Sequence, residues 1–274
     1  MKWAAGIAAL LIAGTAQAGA VRGTVDKLWR LDCGAVHVND LNAFSDSKAY
    51  PGQKRELVSS CYLIKDGDAY MLWDAGLPAS VRGKPNDPTQ PMSATLRTTI
   101  VEQLALLGIK PDQIGLIGIS HHHFDHTGQA ADFPKAKLLI GAGDLALARE
   151  KAEIGMPLGP WLAPGAKVEG VEGDKDLFGD GSVVMVGLPG HTPGHHGLLV
   201  RLPRTGAVLL SGDVAHFHEN LDSDGVPPFN TNRADSVASM HRFRAMASEL
   251  KTVAIIQHDP RDVGKLPAFP QGAE

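Results

Sequence analysis

Six consecutive residues, His121-His122-His123-Phe124-Asp125-His126, place four imidazoles and a carboxylate side by side. They follow the apolar run 114–119 and precede Thr127-Gly128, the pattern of a buried strand that ends in a turn. Side chains two apart on an extended chain point the same way, so His121 and His123 are placed to grip one ion. Asp125 and His126 come after the chain has begun to turn and can face a second ion. A packed core has no use for so many imidazoles beside a carboxylate, so the chemistry expected is metal binding. His191, Asp213 and His258 each fall just beyond a predicted strand, and strand ends are where a rigid sheet presents distant residues to one cleft. All these donors are N or O with no thiolate, which suits zinc and also manganese, iron or cobalt. Two such ions about 3.5–4 Å apart can share a hydroxide and polarise a carbonyl, so hydrolysis of an activated carbonyl or a phosphoester is the reaction class expected.

The elements that must position these residues follow from the hydrophobic pattern. Strands are predicted at 25–38, 114–119, 136–140, 182–188, 197–202, 207–210 and 253–256. Residues 58–65 and 70–73 read as a hairpin turning at Asp66-Gly67-Asp68. Helices are predicted at 93–107, with Ser93 as N-cap and Gly108 as the stop, at 144–151 and at 234–250. Residues 41–54 read as a polar loop and 78–91 as a Pro- and charge-rich loop. Hairpins mixed with crossovers give an α/β (α+β mixed) fold, two mixed sheets packed together under helices, in one domain spanning 19–274.

At the N-terminus Met1-Lys2, an apolar run over 3–14 and Ala16-Gln17-Ala18 read as a signal peptide, 1–18, cleaved after Ala18. The run is shorter than the ~20 residues of a membrane-spanning helix. A periplasmic or secreted protein with no membrane attachment after cleavage is expected. A formal charge of −4 and a pI near 6.3 give no basic footprint, which argues for a small-molecule substrate and against nucleic acid. Cys33 and Cys61 lie in neighbouring predicted strands and are either one disulfide or two small buried hydrophobes.

The run His121-x-His123-x-Asp125-His126, the segment Gly190-His191-Thr192-Pro193-Gly194-His195, the strand-end Asp213 and the late His258 occur in the order of the metallo-β-lactamase superfamily, which the mature chain resembles over most of its length. Within it the chain looks most like the N-acyl-homoserine lactonases, through Ser211-Gly-Asp-Val-Ala-His-Phe-His-Glu-Asn220 and Gln257-His-Asp-Pro260. The resemblance implies a four-layer αββα sandwich with a two-metal site at one edge. His121, His123 and His191 would hold one ion, Asp125, His126 and His258 the other, and Asp213 would bridge them. A bridging Asp fits lactonases better than true metallo-β-lactamases, where Cys or Ser is usual. The expectation is a dinuclear, zinc-type hydrolase that opens lactone rings, with Asp125 also handling protons. A periplasmic β-lactam hydrolase and a metal-buffering protein are the alternatives.

One position departs from the lactonase pattern. A Tyr usually stands three residues after the bridging Asp, and here it is His216, either a hydrogen-bond donor to substrate or a solvated loop residue. Asp74 is expected to accept an N–H from a ligand imidazole or to form a turn before Gly76. The apolar segment 154–164 and the segment 216–230 are candidate pocket walls, unless Trp161 and Leu162 simply cap the core. His122, His195 and His196 are expected to lie off the metals.

Overall fold

The computed structural model describes residues 1 and 23–274; the predicted signal segment, Met1 aside, lies outside the described residues. The first sheet starts as an antiparallel meander of β1 (Lys27–Val38), β2 (Arg55–Asp66) and β3 (Ala69–Trp73), with β4 (Met92–Thr95) added to the outer side of β1. After α1 (Ile100–Leu106) the strands turn parallel: β5 (Ile114–Ile119), β6 (Lys137–Gly141) and β7 (Val168–Val171) extend the sheet beyond β3. Between them lie α2 (Phe124–Thr127), α3 (Ala142–Glu150), α4 (Ala152–Gly155) and α5 (Gly159–Leu162). The second sheet is antiparallel through β8 (Lys175–Asp176), β9 (Val183–Gly187), β10 (His196–Leu202) and β11 (Gly206–Leu210). After α6 (His218–Ser223) and α7 (Arg233–Glu249), β12 (Val253–Ile255) returns parallel to β11.

The two sheets face each other across a core in which Leu28, Tyr62, Ile64 and Trp73 meet Met185, Leu198, Val200 and Leu210. The far face of the first sheet is covered by Ile100 and Leu104 of α1 and Leu145 and Ala148 of α3. The far face of the second is covered by Met240 and Phe243 of α7. The result is the αββα sandwich that the resemblance implied. β2 and β10 are buried on both faces, which is why their sequences run apolar without alternating. Cys33 and Cys61 are joined in a disulfide that ties β1 to β2 inside the sandwich. Among the described residues no helix is long and apolar enough to cross a membrane.

Two segments differ from expectation, and a third takes one of the two roles read for it. Ser93 does not cap a helix: residues 92–95 pair with Ala35–Val38 as β4, and Ser93 bonds Asn86 and Asp87 instead. The helix begins at Ile100, where Thr99 and Glu102 form a reciprocal capping box. Within 41–54, Leu41, Phe44 and Tyr50 are buried against Leu57 and Phe217, so the segment forms a wall rather than a polar loop. Segment 154–164 caps the core: Trp161 is 2% exposed and its Nε1 donates to the Ala136 carbonyl.

Candidate metal centre and substrate cleft

Four strand ends deliver the candidate residues to one edge of the sandwich: β5 leads to His121, His123, Asp125 and His126, β9 to His191, β11 to Asp213 and β12 to His258. All seven come together, in two donor groups. His121, His123, His191 and Asp213 make one and Asp125, His126 and His258 the other, with the donor atoms of each group within 4.8 Å of one another. In the first, His121 Nε2, His123 Nδ1 and His191 Nε2 form a triangle with sides of 2.9, 3.0 and 3.1 Å. Asp213 lies between the groups. Its Oδ2 is 3.4 Å from His191 Nε2 and 3.6 Å from His121 Nε2, while Oδ1 is 3.0 Å from His258 Nε2 and 3.2 Å from His126 Nε2. Asp125 Oδ2 stands 3.6 Å from His258 Nε2 and 3.8 Å from His126 Nε2.

The partners behind each ring decide which nitrogen faces the centre. His126 Nδ1 donates to Asp74 Oδ2 at 2.9 Å, and His258 Nδ1 donates to the Val58 carbonyl at 2.6 Å. Both Nε2 atoms are left with lone pairs, 3.2 Å apart. His191 Nδ1 donates to Asn230 Oδ1 at 2.8 Å, and His121 Nδ1 lies 3.0 Å from Ser120 Oγ. Asp74, fully buried in a left-handed conformation (φ 60°), also accepts from the Ser120 amide and Gln257 Nε2. It therefore supports a candidate ligand, as one of the two sequence readings held.

Lone pairs converging at such distances repel unless a cation sits among them. A tetrahedral zinc with arms of about 2.05 Å needs donors about 3.3 Å apart, close to the triangle observed. Asp213 Oδ1 is buried without a hydrogen-bond partner, although two imidazoles face it. At the three-histidine group the electrostatics agree. Burial holds His121 and His191 well below the ordinary imidazole range and brings His123 to about 4, the neutral form that ligates. At His126 and His258 burial also opposes charge, but Asp213, Asp125 and, for His126, Asp74 outweigh it and raise both. Burial would raise Asp213, yet His258, His126, His121 and His216 hold it well below the carboxylate range. The residues present fit two divalent cations.

Several further residues support the donors, and of these Asp144 and Asn230 carried no sequence signal. Asp144, in the first turn of α3, accepts from the His122 amide, Thr192 Oγ1 and the Gly194 amide. Burial pushes its carboxyl up, but His122, Thr192 and Gly194 bring it below the usual value. His195 donates from Nδ1 to the Leu188 carbonyl and accepts the Asp213 amide at Nε2, 2.8 Å; burial lowers it to about 4. The turn that brings Asp213 onto this imidazole needs Gly212 (φ 53°), where an added Cβ would lie 2.5 Å from His195 Nε2. Asn230 is oriented by its amide bond to Ser236 Oγ on α7.

His216 is buried, not solvated. It stacks on His258 at 5.7 Å, meets Phe44 edge-on at 4.8 Å and places Nε2 3.2 Å from Asp213 Oδ2, while Nδ1 has no partner. It lines a cleft of about 470 Å³ with Val36, Phe44, Leu57, Met92 and Phe229, and the floor is His123, Asp125, Asp213 and His258. Phe44 and Phe229 pack edge-on at 5.4 Å. Segment 216–230 thus supplies one wall, and Phe44 with β4 supplies another, while 154–164 takes the core-capping role that was its alternative reading. His122 contacts Asp144, and His196 bonds the Gly194 and Gly173 carbonyls, both away from the donor triangle.

The metallo-beta-lactamase superfamily pattern matches residues 55–258, a stretch that holds every candidate donor. The chain belongs to that superfamily. Among curated relatives, the N-acyl homoserine lactonase AttM of Azorhizobium caulinodans is 32% identical over 176 residues, covering 58% of this chain and 64% of that protein. The match to that protein thus spans less than two thirds of its length. An N-acyl homoserine lactonase of a Bacillus species is 26% identical over 255 residues, 90% of this chain and 99% of that protein. The solved structure of a quorum-quenching N-acyl homoserine lactone hydrolase superposes with a TM-score of 0.77 at 25% identity, covering 92% of this chain and all of that one. A dizinc quorum-quenching lactonase, AidC, shares the fold with a TM-score of 0.67 at 17% identity, covering 88% and 90% of the two chains.

Proposed function

We propose that the protein is a metal-dependent hydrolase that opens lactone rings, with N-acyl homoserine lactones as its substrates. The observation that carries this reading is Asp213 set between two converging donor groups on the floor of an apolar cleft. His121, His123 and His191 would hold one ion and Asp125, His126 and His258 the other, with Asp213 contributing an oxygen to each. Zinc suits these N and O donors. Two such ions, when bound, supply an activated water at neutral pH and a Lewis acid for the substrate carbonyl.

The chain's own residues do the rest. Val36, Phe44, Leu57, Met92 and Phe229 give an acyl chain an apolar wall, worth about 0.8 kcal/mol per buried methylene. In ring opening, water adds its oxygen to the acyl carbon, the ring C–O bond breaks and the released alkoxide takes a proton. His216, buried on the cleft wall, would supply that proton, and Asp125, on the cleft floor, would receive the proton lost by water. Export is part of the same proposal: the disulfide Cys33–Cys61 suits an oxidising compartment, as a cleaved signal peptide would require.

The test is a parallel assay of metal-loaded mature protein with a long-chain N-acyl homoserine lactone, its short-chain counterpart and a carbapenem. Turnover of the long-chain lactone well above the other two is expected. A preference for the carbapenem would overturn the reading.

A further inference from the structure

Two fully buried carboxylates flank the metal centre without turning an oxygen into it. Asp74 accepts from His126 Nδ1 at 2.9 Å and Gln257 Nε2 at 2.7 Å, the ring of one candidate ligand and the residue before another, His258. Asp144 touches no candidate ligand ring. It accepts from the His122 amide at 3.0 Å, Thr192 Oγ1 at 2.8 Å and the Gly194 amide at 2.9 Å. His122 lies between His121 and His123, and Thr192 follows His191. One carboxylate therefore fastens the two loops that carry the three-histidine group, one residue away from each histidine.

The packing around Asp144 leaves those loops no slack. A Cβ on Gly141 would lie 1.8 Å from the Gly194 carbonyl oxygen, and one on Gly143 would lie 2.9 Å from Pro193 Cβ. The 193–194 backbone is pressed flat on the start of α3, so a shift at Asp144 passes directly to His191. Asp74 bonds no residue of these two loops beyond Ser120: it accepts the Ser120 amide at 2.7 Å, and Ser120 Oγ lies 3.0 Å from His121 Nδ1 and 3.1 Å from His126 Nδ1.

We propose that the two carboxylates divide the centre between them: Asp144 is the positioning residue for the ion site of His121, His123 and His191, and Asp74 for the site of Asp125, His126 and His258. This partition rests on the two-ion reading above. Replacing either by Asn keeps the size but turns one acceptor oxygen into a donor that faces another donor. Losing such a partner typically weakens a bound ion 10–100-fold.

The experiment measures zinc affinity stepwise against a chromophoric chelator, and records the cadmium NMR spectrum of cadmium-loaded protein, which gives one resonance per ion. In Asp144→Asn one resonance is expected to shift or vanish and one zinc step to weaken 10–100-fold. In Asp74→Asn the other resonance and the other step should respond. A variant that merely loosened the fold would disturb both together, so equal loss of both ions in Asp144→Asn, or wild-type affinity at both, overturns the partition. Thr192→Val, which removes one of the three bonds, decides the matter if Asp144→Asn does not fold. A smaller weakening of the same step supports the partition, and none overturns it. A wild-type protein that never takes up a second ion overturns the two-ion reading itself, and the partition with it.

Discussion

Asn230 offers a sharp test of how the centre is oriented, because its effect should change sign with the residue that replaces it. Ser236 Oγ donates to the Asn232 carbonyl at 2.7 Å and accepts the Asn230 amide at 2.9 Å, which leaves Asn230 Oδ1 to accept from His191 Nδ1 at 2.8 Å. That chain of bonds, anchored on α7, fixes the tautomer in which His191 Nε2 faces the donor triangle. In Asn230→Leu the acceptor disappears. A neutral hydrogen bond is worth about 1 kcal/mol net, and an orphaned N–H costs more, but Asn230 is half-buried and water replaces part of the loss. The expected penalty is therefore about 1–1.5 kcal/mol, a fivefold to tenfold weaker ion at the His191 site. In Asn230→Asp the bond becomes charge-assisted and roughly twice as strong, so affinity should equal or exceed that of the wild type. Zinc titration of the metal-free proteins against a chromophoric chelator, with thermal unfolding of the same samples to confirm folding, reads both effects. Unchanged affinity in Asn230→Leu, or weaker binding in Asn230→Asp than in Asn230→Leu, would refute the reasoning.

Other outcomes follow from the same geometry. His216→Phe keeps the stack on His258 and the edge contact with Phe44, so metal content should hold while kcat falls about 10²–10³-fold; metal analysis beside steady-state kinetics checks it, and an unchanged kcat removes His216 from the reaction. The Cys33–Cys61 bond joins residues 28 apart, so loop entropy gives it about 3.5 kcal/mol. Calorimetry of the double Cys→Ala variant should show Tm lowered by about 10 °C. Burial pushes Glu219 and Asp259 up, but Arg55 and Arg261 on the first, and Arg261 with the His218 amide on the second, hold both at about 2. Their folded values lie below the ~4.3 and ~3.9 of free side chains, so the stabilisation is complete above those values and is lost as pH falls toward ~2. Glu219→Gln should thus melt below wild type at neutral pH, with the gap closing in acid; a gap that persists near pH 2 contradicts this.

The candidate donors were legible in the sequence because strand ends concentrate them. A run such as 114–119 can only be a buried strand, and the polar residues just beyond it have one edge to face. The residues that hold those donors were much less legible. Asp144 looks like any acidic residue in a helix's first turn, and only the fold brings it under Thr192 and Gly194. Ser93 carries the mark of a helix cap, but β1 offers a free edge at Ala35–Val38, and pairing with that edge wins over local propensity. Leu41, Phe44 and Tyr50 follow no period because they bury themselves from an irregular turn, so neither their burial nor the place of Phe44 in the cleft wall could be read from spacing. Segment 154–164 is apolar for the opposite reason: it closes the core over Ala136 and stays clear of the cleft.

The central claim is that two ions, bridged by Asp213, are needed to open the ring. The check is to titrate zinc into the metal-free protein while hydrolysis of an N-acyl homoserine lactone is followed by acid release. Little turnover with one equivalent, a plateau at two, and loss of both the second ion and the activity in Asp213→Ala are expected. Full turnover at one equivalent, or an Asp213→Ala variant that keeps two ions and wild-type rates, would contradict it.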